Sequence, residues 1–559
     1  MDEIEVSESE EKAKWFPGAR FNIAEACFKA NPTQIAIIEG TTDSSHLKKI
    51  TVKQLEEASG RVAKGCFDFG LEPGDYVGFI GPMTSENVSI YLGVIQAGLV
   101  LVPVPDSYSA NELSKRFEIA KVKAVFSAGD YKRGSKIIDV YSRVVEAKCP
   151  PAIIFSIDGS SVNLSRKEDV LFSSFVANEG SSEFFQQSAD AFTTIIYSSG
   201  TTGTPKAIPW TQVAPIKSAA DGFFHQDIQE GDVVCWPTNL GWMMGPWLIF
   251  ASLMNKGTIA LYNGMPTTSE FLDFVNSSNT SMLGVIPSIV KNWIKNDFHK
   301  TKRLTSVTRF SSTGECSNPN DYFYLSQMAG FSPIIEYCGG TEIGGGYVTS
   351  VLSEPNALSC FNTPSIGTSF YLIGDTNERV ASEGNGEVFL DALTFGTSQV
   401  LLNKDHHEEY YKGAPKGPNG KCLRRHGDQL VRLSGGFYKG LGRADDSMNL
   451  GGIKIGSSQI ESILNRHPLI FECAAITVSP KEGGPGKLIL VITLNNKKEF
   501  DVSRIKNKLR LKRELSSLIR TELNPLFAIA AIEFMDNLPK TASNKIQRKE
   551  LRAAFKESV

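Results

Sequence analysis

The chain has 559 residues, 41% of them hydrophobic and 21% charged, with a formal net charge of −3. A single core rarely grows past about 250–300 residues, so more than one folded unit is expected, and the near balance of charge gives no electrostatic reason to invoke a nucleic-acid partner. No run reaches the roughly 18 apolar residues of a membrane helix; the stretch 243–253 is too short and contains Pro246.

The acidic start, Asp2-Glu3-Ile4-Glu5, has no basic region ahead of an apolar stretch and is not a secretory signal. Residues 1–14 are polar and are expected to be disordered. The nine cysteines include no C-x-x-C pair and read as reduced core thiols in a reducing compartment. Thr51 is placed to cap a helix running through Leu55, Ala58, Val62 and Cys66. Gly70 ends it, and Pro73-Gly74-Asp75 turns into a strand at 76–80. Helices at 86–97 and 112–120 then alternate with strands at 99–104 and 124–127. This alternation predicts an α/β fold, a mostly parallel sheet with helices packed on it. Residues 158–190, rich in Ser, Asn, Glu and Gln, read as a long connection. Beyond Gly435-Gly436 and Gly440-Leu441-Gly442 lies a shorter unit with a helix at 458–465, strands at 474–478 and 488–494, and a basic helix at 502–521. The boundary is expected at 443–446.

The strand at 193–197 runs into Tyr197-Ser198-Ser199-Gly200-Thr201-Thr202-Gly203-Thr204-Pro205-Lys206. Two glycines let backbone N–H groups approach a ligand, the hydroxyls add donors for phosphate oxygens, and Lys206 adds a point charge. The Walker pattern does not fit here. Gly483-Gly484-Pro485-Gly486-Lys487 imitates it, but Leu488 stands where the metal-binding hydroxyl belongs, so this segment reads as a turn between strands. Asp405-His406-His407-Glu408-Glu409 is the densest ligand-like cluster; lacking H-E-x-x-H spacing, it reads as a solvated loop before Tyr410 and Tyr411.

The 197–206 segment resembles the phosphate loop of the adenylate-forming superfamily nearly letter for letter. Further segments resemble that family's motifs in order. Glu336-Tyr337-Cys338-Gly339-Gly340-Thr341-Glu342 is similar to its aromatic-Gly-x-Thr-Glu segment, which implies that Glu342 holds Mg²⁺ and Thr341 contacts the phosphate that becomes AMP. Ser312-Thr313-Gly314-Glu315-Cys316 resembles the stretch beside adenine. His426-Gly427-Asp428 matches Thr-Gly-Asp with His for Thr, implying that Asp428 binds the ribose. The run 442–454 resembles the interdomain hinge, with Arg443 as a phosphate contact, Asp445 as the hinge, and Lys454 where relatives have Arg. Pro539-Lys540-Thr541-Ala542-Ser543-Asn544-Lys545 resembles the Pro-Lys-Thr-x-x-Gly-Lys loop, which makes Lys545 the implied catalytic lysine, with Asn544 in place of Gly. The resemblance implies a large αβ N-terminal domain of several subdomains with parallel sheets over 15–442, a hinge at 443–446, and a small mobile α+β C-terminal domain over 447–559.

Trp15-Phe16-Pro17-Gly18-Ala19-Arg20-Phe21-Asn22-Ile23-Ala24-Glu25 and Leu240-Gly241-Trp242-Met243-Met244-Gly245 look like the acetyl-CoA synthetase branch, nearest to plant acyl-activating enzymes. The implied reaction joins a carboxylic acid to CoA with consumption of ATP and with Mg²⁺. Arg133, Lys136 and Arg520 fall where relatives contact CoA, and Gly451 and Gly452 where the pantetheine passes. Acetate-specific relatives put Trp at the position of Gly339. Its loss is expected to open an acyl pocket lined by Trp242, Met243, Met244 and Thr313, and so to admit an acid larger than acetate, medium-chain or bulky. A non-catalytic nucleotide-binding regulator and an adenylating enzyme with another acceptor are the alternatives. Plant relatives imply a peroxisomal location beside a cytoplasmic one; Lys556-Glu557-Ser558-Val559 is not a Ser-Lys-Leu address.

Overall fold

Thr51 caps the helix Val52–Asp68 through a reciprocal box: its hydroxyl accepts from Gln54 N–H while the Gln54 side chain accepts from the Thr51 N–H. The helix buries Leu55, Val62 and Cys66 on one face, and Gly70 at φ +84° lets the chain reverse into Tyr76–Ile80. The computed structural model describes all residues except 1–4, 7–10, 42–45, 134–135, 158, 160, 199–204, 375, 445–446, 451–452, 479–486, 496–499, 501–504, 524–526, 542–544 and 556–559.

By packing, the described chain divides into two units, Met1–Phe370 with Leu390–Arg425, and Tyr371–Phe389 with His426–Val559. The first unit holds two large sheets. In the seven-stranded sheet the order is Val170–Leu171, Ala152–Phe155, Ala124–Ala128, Tyr76–Ile80, Val100–Val104, Phe192–Ser198 and Lys206–Thr211. All neighbours run parallel except the last pair, which forms a hairpin. Every residue of Val100–Val104 and of Ala124–Ala128 is buried, as expected of parallel strands covered on both faces. The nine-stranded sheet has a parallel centre and antiparallel edges; its Ile334–Gly340 strand pairs antiparallel with Gly345–Thr349.

In the second unit, Ile470–Val478, Lys487–Leu494 and Ile529–Phe534 form a three-stranded sheet. Leu488, Leu490 and Ile492 face one apolar cluster with Leu511, Leu515 and Ile519, while Ile489 and Val491 face another with Leu551. This is the period of two that a sheet covered on both faces requires. Gly483-Gly484-Pro485-Gly486 falls between the first two of these strands, outside the described residues.

In the second unit an antiparallel ladder pairs Asp428 with Arg443 and Arg432 with Tyr438, so residues 426–443 pack with that unit. Two expectations are corrected. The expected disorder over 1–14 does not extend to residues 11–14: Ala13 is buried and its carbonyl accepts from Gln399 Nε2 at 2.5 Å, while Glu11 meets His407 at 2.7 Å. The cysteines are not all in the core: five are buried, Cys338, Cys360 and Cys422 are half-buried and Cys316 is exposed. No described helix is long and apolar enough to cross a membrane.

Candidate active site

The hairpin register places Ser198 directly opposite Lys206, so both ends of the glycine segment meet at one sheet end. Ser199, Gly200, Thr201, Thr202, Gly203 and Thr204 lie outside the described residues. The exit is pinned by Asn403, whose Oδ1 accepts from Ala207 N–H at 3.0 Å and whose Nδ2 donates to Pro205 O at 2.8 Å. The Lys206 side chain is only 12% exposed, with Nζ 3.2 Å from Glu342 Oε1 and 3.4 Å from Glu409 Oε1. It also stands 4.9 Å over the Tyr410 ring.

Thr341 and Glu342 follow the strand Ile334–Gly340. Their backbone is held on both sides: Trp210 Nε1 donates to Thr341 O at 2.7 Å, and Ser398 N–H donates to Glu342 O at 2.7 Å. Tyr410 OH donates to Glu342 Oε1 at 3.3 Å. Under Tyr410 lies Arg424, fully buried, its guanidinium 3.8 Å from the ring. None of the three Arg424 guanidinium nitrogens has a hydrogen-bond partner among the described residues, so the ring face is the contact that offsets its desolvation. Burial, then the Arg424 charge, bring the His406 imidazole down to about 4, so it is neutral and accepts no proton at neutral pH.

Residues 405–409 are solvated as expected at Asp405, His407 and Glu408, but they form a helix rather than a loop, and Glu409 faces inward. Asp405 caps the short helix His406–Tyr410, which delivers Glu409 and Tyr410 to Lys206 and Glu342. Polar composition hid this; the Tyr-Tyr pair after the acidic residues was the available signal.

Thr313, Gly314 and Glu315 follow the buried strand Arg309–Ser312. Gly314 sits at φ +92°, a turn that favours glycine, and Glu315 Oε2 accepts from Ser288 N–H at 3.1 Å. Nearby Glu336 is buried and accepts from Ser317 Oγ at 2.6 Å; burial pushes its carboxyl up to about 7. The folded state thus keeps a proton that the unfolded chain releases above the ordinary value of 4.5. This stability is fully present below that value and is lost as pH rises through about 7. Glu336→Gln, a neutral mimic, is expected to melt progressively higher than the parent between about pH 5 and 8, by up to ~3 kcal/mol. A melting difference that stays constant over that range rejects the assignment.

Trp242, Met243 and Met244 belong to one apolar cluster with Tyr337, Met244 being buried and Trp242 meeting the Tyr108 ring edge-on at 6.0 Å. Gly339 differs from expectation. A Cβ there would overlap the Gly345 carbonyl oxygen, because the ladder shifts register between Cys338 and Gly339 and brings the partner strand close. No side chain fits at Gly339 unless the facing strand shifts. Gly339→Trp is expected to destabilise the protein by ~3 kcal/mol or more, seen as a lowered melting temperature, rather than to make a trimmed acetate-selective pocket.

In the second unit, Asp428 accepts from Arg443 at 3.1 Å and meets His426 Nε2 at 3.2 Å; Arg443 also donates to His426 O at 2.9 Å. Gly427 between them has φ +84°, and a Cβ there would crowd the Arg443 guanidinium, so the glycine serves this pairing. Lys545 is exposed, its backbone tied to Thr541 through Thr541 N–H to Lys545 O at 2.7 Å and Lys545 N–H to Thr541 Oγ1 at 3.1 Å. Arg520 is exposed on the helix Ile505–Glu522. Asp445, Gly451 and Gly452 lie outside the described residues, as do the side chains of Arg133, Lys136 and Lys454. The backbones of Arg133 and Lys136 pair antiparallel.

Comparison with known proteins gives this arrangement a family. The model of the AMP-binding enzymes matches residues 24–392, and that of their C-terminal domain matches 459–545. The chain belongs to the AMP-binding enzymes. Among its relatives, a hexanoyl-CoA synthase of Cannabis sativa is 41% identical over 99% of this chain and 80% of its own. A probable acyl-activating enzyme 17, peroxisomal, of Arabidopsis thaliana is also 41% identical, over 96% of this chain and 76% of its own. An acetyl-coenzyme A synthetase of Psychromonas ingrahamii is 28% identical over 96% of this chain and 85% of its own. This places the AMP-binding enzyme in the acetyl-CoA synthetase-like branch, beside plant acyl-activating enzymes. Its fold matches that of the acetoacetyl-CoA synthetase of Streptomyces lividans with a TM-score of 0.86, at 22% identity over 98% of this chain and 84% of that one.

Proposed function

We propose that this AMP-binding enzyme is an ATP-dependent carboxylic acid:CoA ligase whose acid is larger than acetate, medium-chain or bulky. One observation carries the reading: Lys206, at the end of the glycine segment, is largely buried and lies within ion-pair distance of both Glu342 and Glu409. A cation next to hard carboxylate oxygens suits the phosphates of a nucleotide together with Mg²⁺. Glu342 and Glu409 supply the hard oxygen donors that this ion takes. When bound, Mg²⁺ offsets the charge that builds on the phosphates.

In the first half-reaction a substrate carboxylate oxygen bonds to the α-phosphorus of ATP and the bond to pyrophosphate breaks, giving acyl-AMP. Lys206 and the 198–203 segment hold the phosphates, Thr341 the α-phosphate, Asp428 the ribose, Arg443 a phosphate, and Gly314 and Glu315 the adenine. Lys545 holds the substrate carboxylate and an ATP oxygen together. In the second half-reaction the CoA sulfur bonds to the acyl carbonyl carbon, the thiol proton departs, and AMP leaves. Arg133, Lys136 and Arg520 contact CoA phosphates, Gly451 and Gly452 pass its thiol arm, and Asp445 is the hinge that exchanges one set for the other; Lys454 supports the nucleotide.

The hexanoyl-CoA synthase relative supports a medium-chain acid. Each buried methylene contributes about 0.8 kcal/mol, so kcat/KM should rise about fourfold per methylene from acetate toward hexanoate. CoA-dependent AMP formation across straight-chain acids tests this. A profile that peaks at acetate overturns the substrate reading, and absence of pyrophosphate release with every acid overturns the ligase. A peroxisomal location is the companion proposal, from the Arabidopsis relative named for it.

A further inference from the structure

The helix Val213–Phe224 is apolar over most of its length, yet it buries Lys217 and Asp221 completely, one turn apart, with Nζ 2.6 Å from Oδ1. A desolvated ion pair seldom stabilises a core beyond what apolar side chains would provide, so its remaining bonds are informative. They go to one place. Asp221 Oδ2 accepts from Tyr337 OH at 2.6 Å and from Gly346 N–H at 2.8 Å. Tyr337 OH in turn accepts from Trp247 Nε1 at 3.0 Å. Lys217 Nζ donates to Ile366 O at 2.9 Å, and Ser218 Oγ donates to Gly344 O at 2.7 Å.

Tyr337, Gly344 and Gly346 stand on both sides of the turn that carries Thr341 and Glu342. The helix thus grips that turn at its two roots. The run Gly344-Gly345-Gly346 makes the approach feasible. A Cβ on Gly344 would lie 2.9 Å from Ala214 Cβ, one on Gly345 would overlap Asp221 Oδ2, and one on Gly346 would lie 2.6 Å from the Tyr337 ring. Gly396 closes the other side, 2.7 Å from Lys217 Cβ by the same measure. Hydrogen bonds to an ionised, water-excluded carboxylate are the strong kind, so the grip fixes the hairpin closely.

We propose that Asp221, Lys217 and Tyr337 are positioning residues that set the Glu342 carboxylate for the adenylation half-reaction. This rests on the reading of Glu342 as the magnesium-holding group. None of the three reaches a reacting atom; they act through the turn. A displacement of Glu342 on the ångström scale is enough to lower the rate about a hundredfold.

The test separates positioning from folding. Tyr337→Phe removes one hydroxyl from the grip. Lys217→Met with Asp221→Leu replaces the ion pair by apolar side chains of similar size, which a core tolerates. Three quantities are measured on the full chain: pyrophosphate release, the Mg²⁺ concentration for half-maximal rate, and thioester formation from supplied acyl-adenylate and CoA. Expected for the double variant is a tenfold to hundredfold loss (~10–100) in adenylation kcat, a Mg²⁺ requirement raised about threefold or more, and a thioester step within about twofold of the parent. Tyr337→Phe should show the same pattern at smaller size and decides the matter if the double variant does not fold. Unchanged adenylation and Mg²⁺ requirement, or an equal fall in both half-reactions, overturns the inference. Glu342→Gln is run beside them. If it moves the Mg²⁺ requirement and the grip variants do not, only this inference fails; if it moves nothing, the reading of Glu342 itself has failed.

Discussion

Lys545→Ala is expected to lower pyrophosphate release by about 10²–10³-fold while leaving thioester formation from supplied acyl-adenylate nearly intact. The side chain is exposed, and its backbone is held by bonds to Thr541 that do not involve the ammonium. Lys540 adds an anchor, 2.8 Å from Glu472, and pairs with Ile546 across the same loop. Removing the Lys545 amine therefore leaves the loop in place, and the melting temperature should be unchanged. Asn544 lies outside the described residues, so Asn544→Gly is the useful companion: a faster variant would show that the departure from glycine restrains adenylation. Equal losses in both half-reactions of Lys545→Ala would remove the lysine from its assigned step.

Glu342→Gln has the second large effect, a fall of about 10²–10³ in adenylation with a raised Mg²⁺ requirement. The amide keeps the shape and its contact with Tyr410 but loses the charge that faces Lys206 at 3.2 Å. Lys206→Met should also be slow. Because the two side chains touch, the paired variant should lose less than the product of the single losses; multiplicative losses would mean that they act independently. Glu409 shares Lys206 at 3.4 Å, so Glu409→Gln should show a smaller fall of the same kind.

Much of this was legible in the sequence where local rules and tertiary packing agree. The Thr51 cap, the strands Tyr76–Ile80 and Val100–Val104, and the strand Phe192–Ser198 ahead of the glycine segment follow from capping chemistry and continuous apolar runs. The phosphate-loop, Thr-Glu and terminal-lysine segments stood out through their resemblance to one family's motifs in order. Glu409 and Tyr410 were not, since a polar pentapeptide looks the same on a surface as beside a buried lysine. The cost of a side chain at Gly339 was hidden too: it depends on the opposing strand's register, which composition does not encode. The Lys217–Asp221 pair had the i, i+4 spacing of an ordinary surface pair, and only burial distinguishes it.

The polypeptide passes from one packing unit to the other at Phe370/Tyr371, returns at Phe389/Leu390, and passes over again at Arg425/His426. A fragment that begins at His426 lacks the Gly384–Asp391 strand that neighbours Leu423–Arg432 in the four-stranded sheet. It would present a raw strand edge with unpaired N–H and C=O groups, a template for self-association. Dissection of this protein by simple truncation should therefore yield sticky, aggregating pieces, whereas joining 371–389 to 426–559 through a short linker should restore the missing neighbour and give a monodisperse product.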